Sequence, residues 1–176
     1  MVDPTTMLSE HVSAATFTHS VKGEEQRIDN SLPDALLPAA QAFCTNCFEK
    51  MRIVLGGQRI NVHSGFRCKI LNTAVKGSDT SDHMKANAMD FDCNDRMTLP
   101  QAFKIVLQSE LRWKQFLLEG VTAARPEGGW LHIAYNTALP DDKQKMEVKI
   151  VNFDSGEASY HTVTVAEALA WCDEQK

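Results

Sequence analysis

Between Pro33 and Leu55 the apolar residues Leu36, Ala40, Phe43, Cys44, Cys47, Phe48, Met51, Val54 and Leu55 recur at intervals of three and four, the spacing of one face of an α-helix. Pro33 suits the first turn and Gly56-Gly57 the end. Further on, the period shortens to two. Residues 59–66 alternate through Ile60, Val62 and Ser64, and residues 88–93 place Ala88, Asp90 and Asp92 on one side of a strand and Met89, Phe91 and Cys93 on the other. A short helix is expected over 69–75. Thr98 and Gln101 form a capping box that opens a helix running to about Glu110. Residues 113–119 and 130–135 read as two strands, antiparallel partners that bring Glu119 and His132 into one neighbourhood.

The ends of the chain are less periodic. Residues 1–32 are polar with scattered apolar positions, which predicts a short helical turn over 13–17 in an otherwise extended arm around the domain. After Pro140 a charged linker leads to strand-like runs at 146–153 and 157–163, joined by the turn signal Asp154-Ser155-Gly156. Residues 165–172 close the chain as a helix. This succession predicts an α+β fold with a small, mostly antiparallel sheet flanked by helices. Residues 1–140 would be the main domain with its N-terminal arm, and 141–176 a hairpin and helix packed on it.

The totals narrow the choice of function. A chain of 176 residues, 43% apolar and 23% charged, buries a core as one ordinary globular domain. A net charge of -5 and a pI near 5.6 argue against a general nucleic-acid binder, which carries a basic footprint. No run of about 18 apolar residues is present to span a membrane, and no basic region precedes an apolar core at the N-terminus, so synthesis in the cytoplasm without a signal peptide is expected. The five cysteines are odd in number and mostly sit in apolar patterns, as reduced thiols do. Cys44-x-x-Cys47 lies inside the long helical pattern without a second pair or a nearby His, and reads as small buried residues.

Candidate chemistry gathers around Ser81-Asp82-His83-Met84-Lys85-Ala86-Asn87-Ala88-Met89-Asp90. Asp90 projects from a strand, while His83, seven residues earlier, is too distant for a shared helical face and must reach the same point from a loop folding back. His132, in Trp130-Leu131-His132-Ile133-Ala134-Tyr135, supplies a second imidazole from another strand. Two His and one Asp form the three-ligand set of a catalytic zinc site, whose fourth position is left to water. Zinc is preferred to calcium or magnesium because imidazole suits a borderline-soft ion.

These residues carry a resemblance. His83-x-x-Ala86-x-Ala88-x-Asp90 followed by Trp130-x-His132 resembles the signature of zinc D-alanyl-D-alanine carboxypeptidases and the related L-alanyl-D-glutamate endopeptidases of phage lysis systems. Ser64-Gly65-Phe66-Arg67 and Leu71-Asn72-x-Ala74-Val75-x-Gly77-Ser78-x-Thr80-Ser81 extend it. Leu8-Ser9-Glu10-His11 and Arg27-Ile28-Asp29-Asn30 are similar to the opening of the short phage-associated branch. The resemblance implies a hedgehog and D-Ala-D-Ala peptidase-like fold and a zinc-dependent hydrolase of peptidoglycan stem peptides. His83, Asp90 and His132 would hold the metal, Arg67 would grip a substrate oxygen, and Ser81 would contact substrate or support its loop. The protein would act on the cell wall after lysis or delivery, or within a phage particle.

Two departures bear on that expectation. Where many relatives carry an acidic base three residues before the last His, this chain has Gly129; Glu119 is the first replacement and Glu127 the second. Ala86 stands where the family commonly has Gly, so the loop must avoid a positive φ or accept strain. The rival expectations are a catalytically silent zinc-binding module of a phage assembly, and a small-peptide hydrolase without a cell-wall role.

Overall fold

In the computed structural model, which describes residues 1–93, 96–121, 128–153 and 158–174, one six-stranded sheet carries helices on one face. The strands are β1 (Asn61–Ser64), β2 (Ala88–Asp92), β3 (Gln115–Glu119), β4 (Trp130–Ala134), β5 (Glu147–Asn152) and β6 (Ser159–Val163), in the order β1-β2-β4-β3-β5-β6. Every neighbouring pair is antiparallel except β3 and β5, which run parallel. The fold is α+β, as the alternation of periods predicts.

The pleat separates the chemistry from the core. Met89, Phe91, Leu131, Ile133, Phe116, Leu118 and Val148 point to one side and are almost wholly buried. Against them packs α6 (Leu99–Leu107), where Phe103 meets Phe116 with ring centroids 4.8 Å apart. The capping box of Thr98 and Gln101 is formed, with both reciprocal bonds present. On the opposite side two rows cross the sheet. One runs Asp90, His132, Leu117, Lys149, Thr162; the next runs Trp130, Glu119, Val151, Tyr160.

The helix predicted over 33–55 forms, but in three continuous pieces behind a 3₁₀ turn (Asp34–Leu36): α3 (Leu37–Phe43), a π-helical turn (Cys44–Phe48) and α4 (Glu49–Val54). The apolar face survives because one π turn adds a residue without leaving the core side: Phe43, Cys44, Cys47, Phe48 and Met51 are all buried. Gly56 and Gly57, at φ 83° and 71°, end the run in the left-handed region that favours glycine.

The N-terminal arm is more structured than its composition predicts. Beside α1 (Ala14–Thr18), at the expected place, there is α2 (Val21–Glu25), whose Ser20 side chain accepts a hydrogen bond from the Gly23 N–H. Buried Asn30 stitches this arm to the loop after β1: its side-chain amide donates to the Thr18 and Phe66 carbonyls and its Oδ1 accepts from the Cys68 N–H at 2.7 Å. Gly65 lets the two segments touch. A Cβ at Gly65 would stand 2.3 Å from the Phe17 ring and 2.5 Å from the Phe17 carbonyl oxygen.

At the other end, β5 and β6 pair as an antiparallel hairpin, and the following α7 (Val165–Glu174) packs on α6 and β5. The expected turn Asp154-Ser155-Gly156 and the first residue of the second run, Glu157, lie outside the described residues.

Gly65→Ala tests the close approach of α1 to β1. It is expected to cost about 1–3 kcal/mol, because backbone rather than a flexible side chain must yield. The measurement is the midpoint of urea unfolding against the parent, and an unchanged midpoint contradicts the contact.

Candidate metal centre and its surroundings

His83 reaches the sheet because the chain before β2 makes a tight 3₁₀ turn (Asp82–Lys85). Ser81 Oγ starts it by accepting from the His83 N–H at 3.3 Å. Ala86 ends it at φ 56° and ψ 33°, in the left-handed region, while wholly buried. The loop therefore accepts the strain that a glycine would avoid, on the order of 1 kcal/mol. Asp82, buried in the same turn, is held by Lys114 just before β3, with Nζ 2.7 and 2.8 Å from its two oxygens. That ion pair ties the His83 turn to the start of β3.

The imidazole orientation is set from behind. His83 Nδ1 lies 2.6 Å from the Gly65 carbonyl oxygen, which can only accept, so Nδ1 carries the proton and the Nε2 lone pair faces the site. His83 Nε2 stands 3.2 Å from His132 Nδ1 and 3.2 Å from Asp90 Oδ1, and His132 Nδ1 lies 2.8 Å from Asp90 Oδ1. Ligands about 2.0–2.1 Å from a tetrahedral zinc ion are about 3.3 Å from one another. The three donors thus form a triangle of nearly that size, and the donor set fits zinc. His83 and Asp90 are buried, and His132 is 9% exposed.

The proton affinities of Asp90 and His83 favour ligation as well. Burial, the largest influence, raises the Asp90 pKa, but the charge of His83 and the hydrogen bonds of both imidazoles outweigh it and hold the carboxyl well below the usual range. Burial lowers the His83 pKa, against the opposing charge and hydrogen bond of Asp90. His132 moves the other way: burial lowers it, yet the hydrogen bond and charge of Asp90, with the charge of Glu119, raise it overall. A cation would compete there with a proton.

Arg67 faces the same cluster: its guanidinium bonds Asp90 Oδ2 through Nη2 and Ser64 Oγ through Nε at 2.8 Å. Asp90 is therefore divided between Arg67 on one oxygen and the His pair on the other. The backbone of Arg67 is fixed too, its N–H donating to the His83 carbonyl at 3.2 Å.

Glu119 ends β3 on the same face as His132 and Asp90 and is buried. Burial, opposed by the charges of His132 and Arg67 and reinforced by that of Asp90, pushes its pKa up to about 7. Glu127, the second candidate base, lies outside the described residues. The backbone at Gly129 leaves no room for an acid three residues before His132. Its φ is 92°, and a Cβ would stand 1.9 Å from the Glu119 carbonyl oxygen, so no side chain fits where β3 and β4 close together. Cys44 and Cys47 are distant in role: burial holds both thiols far above the ordinary cysteine range, and both are free.

Sequence reasoning named the three candidate donors that the fold brings together, but missed their supports. Asn30 and Gly65 were legible only as parts of a resemblance, and Lys114 carried no signal at all. The charge of Asp82, next to His83, was the one hint that the turn needs a cationic partner.

Gly129→Asp is expected to destabilise the protein by about 2 kcal/mol or more, through backbone displacement at Glu119. Thermal unfolding of the two proteins side by side checks this. A melting temperature equal to the parent's would show that the position tolerates an acid after all.

A comparison with curated proteins finds no match. A family model described as Peptidase M15 matches residues 9–123, a span that holds Arg67, His83, Asp90 and Glu119 and stops short of His132. With the family's zinc dependence and this His-Asp-His triangle in agreement, the chain belongs to peptidase family M15 and is a zinc metallopeptidase.

Proposed function

We propose that this protein hydrolyses peptide bonds of peptidoglycan stem peptides, of the D-Ala-D-Ala carboxypeptidase or L-Ala-D-Glu endopeptidase type, with His83, Asp90 and His132 as zinc ligands and Glu119 as general base. The observation that carries the reading is a second carboxyl, Glu119, on the same sheet face as the donor triangle, with a proton affinity near neutrality. A zinc ion, when bound, supplies the Lewis acidity that makes water a nucleophile near neutral pH.

The protein's own residues supply the rest. Glu119 as carboxylate takes a proton from the attacking water, and as carboxylic acid returns it to the leaving amine. Burial matches it to that exchange, since a carboxylate of ordinary acidity is too weak a base to take a proton from water effectively near neutral pH. Arg67 fixes Asp90 by one of its five N–H groups and Ser64 by another. The remaining donors suit the substrate carbonyl as charge develops on its oxygen. Ser81 shapes the turn beneath His83 and lies in the loop where substrate enters. The opening motifs at 8–11 and 27–30 support a phage or prophage origin, with the protein reaching the cell wall at lysis or on a particle.

Zinc-loaded protein incubated with purified peptidoglycan is expected to release D-Ala or cut stem peptides, read by mass spectrometry. Glu119→Gln is expected to lower the rate by about 10²–10⁴ with zinc still bound. Because the base works ionised, activity should rise with pH through the Glu119 pKa and fall away below it. The midpoint should lie at or below 7, since a bound cation opposes the burial that raises it. Stoichiometric zinc without any product would favour a silent binding module, and products from the Glu119 variant at the parent rate would move the base elsewhere.

A further inference from the structure

The sheet continues past the family match. Strands β5 and β6 lie wholly beyond residue 123, and their pairing extends the face that bears the donors. Lys149 stands in the row of Asp90 and His132, with Leu117 between, and Tyr160 stands in the row of Glu119, with Val151 between. Resting on the peptidase reading above, we propose that Lys149 and Tyr160 form a carboxylate-binding subsite that holds an acidic peptide substrate about three residues from the bond being cut.

The distance follows from the pleat. Two strand spacings separate Lys149 from His132 and Tyr160 from Glu119, about 10 Å in each case. An extended peptide covers that span with about three residues. Lys149 Nζ lies 6.0 Å from the centre of the Tyr160 ring, so ammonium and phenol lie close enough to serve one group. The Lys149 ammonium is paired with Glu147 at 3.1 Å, but Glu147 also takes Lys145 at 2.7 Å. Two cations share one carboxylate, which leaves a unit of positive charge at this wall. Tyr160 is 58% exposed, open to a ligand from solvent. Its phenol pKa is raised, first by burial and then by the charges of Glu119 and Asp90, against that of Arg67. The phenol therefore stays protonated. An O–H donor beside an ammonium suits a carboxylate, and charge-assisted hydrogen bonds give such a group its affinity.

The test uses zinc-loaded full-length protein and two synthetic stem pentapeptides, one with free carboxylates and one fully amidated. The parent is expected to favour the free peptide by about tenfold in KM. Lys149→Met should remove that preference, Lys149→Arg should restore it, and Tyr160→Phe should weaken it in part. Equal KM values in the parent, or a preference that survives Lys149→Met, overturn the subsite. Binding of the same two peptides, labelled and followed by fluorescence anisotropy, separates the claims. If neither peptide is cut, the peptidase reading fails at this substrate. The subsite then stands on a binding preference that Lys149→Met abolishes, and falls if the two peptides bind alike.

Discussion

The register between β2 and β4 is the constraint on which the rest of the structure depends. Asp90 lies opposite His132, and because side chains alternate with a period of two, a slip by one residue would turn one of the pair into the core. The core prevents that slip. Met89 and Phe91 on β2, and Leu131 and Ile133 on β4, are fully buried on the other face, and each shift would expose apolar surface at roughly 25 cal/mol per Å². Apolar residues that never touch the site thus determine which side chains meet there. His83 is then the only donor brought by a turn, and its freedom is removed by the Gly65 carbonyl behind it and by the Asp82–Lys114 pair below.

Two carboxyl groups on one face are driven in opposite directions by their surroundings. Asp90 is surrounded by two imidazoles and a guanidinium and stays ionised despite burial. Glu119 is buried as well, but it receives weaker compensation and carries the repulsion of Asp90. Such divergence suits the roles proposed for them, a cation at the strongly acidic carboxyl and proton transfer at the weakly acidic one. Arg67 contributes to both, holding Asp90 directly and lowering the Glu119 pKa through its charge.

Much of this was legible in the sequence, for identifiable reasons. The strands at 88–93, 113–119 and 130–135 were visible because one face is apolar throughout, and the long helix because its apolar stripe ends at Gly56-Gly57. The π turn at Cys44–Phe48 was hidden, since one extra residue barely disturbs spacings of three and four. The helix Val21–Glu25 was hidden by a central glycine and a lack of apolar repeat, though Ser20 was its cap. The parallel pairing of β3 with β5 left no local trace, because hairpin signals speak only for neighbours in the chain. Gly129 showed as a missing acid; only the strand geometry shows that the position excludes any side chain.

The central claim is that His83, Asp90 and His132 bind one zinc ion, and X-ray absorption at the zinc edge of the stoichiometric complex tests it most directly. The account predicts four nitrogen or oxygen neighbours at about 2.0–2.1 Å, with the outer-shell scattering of two imidazoles. His132→Ala should remove one imidazole from that pattern. Sulfur at about 2.3 Å, which would place the ion at cysteines, or a pattern indifferent to His132→Ala, would contradict it.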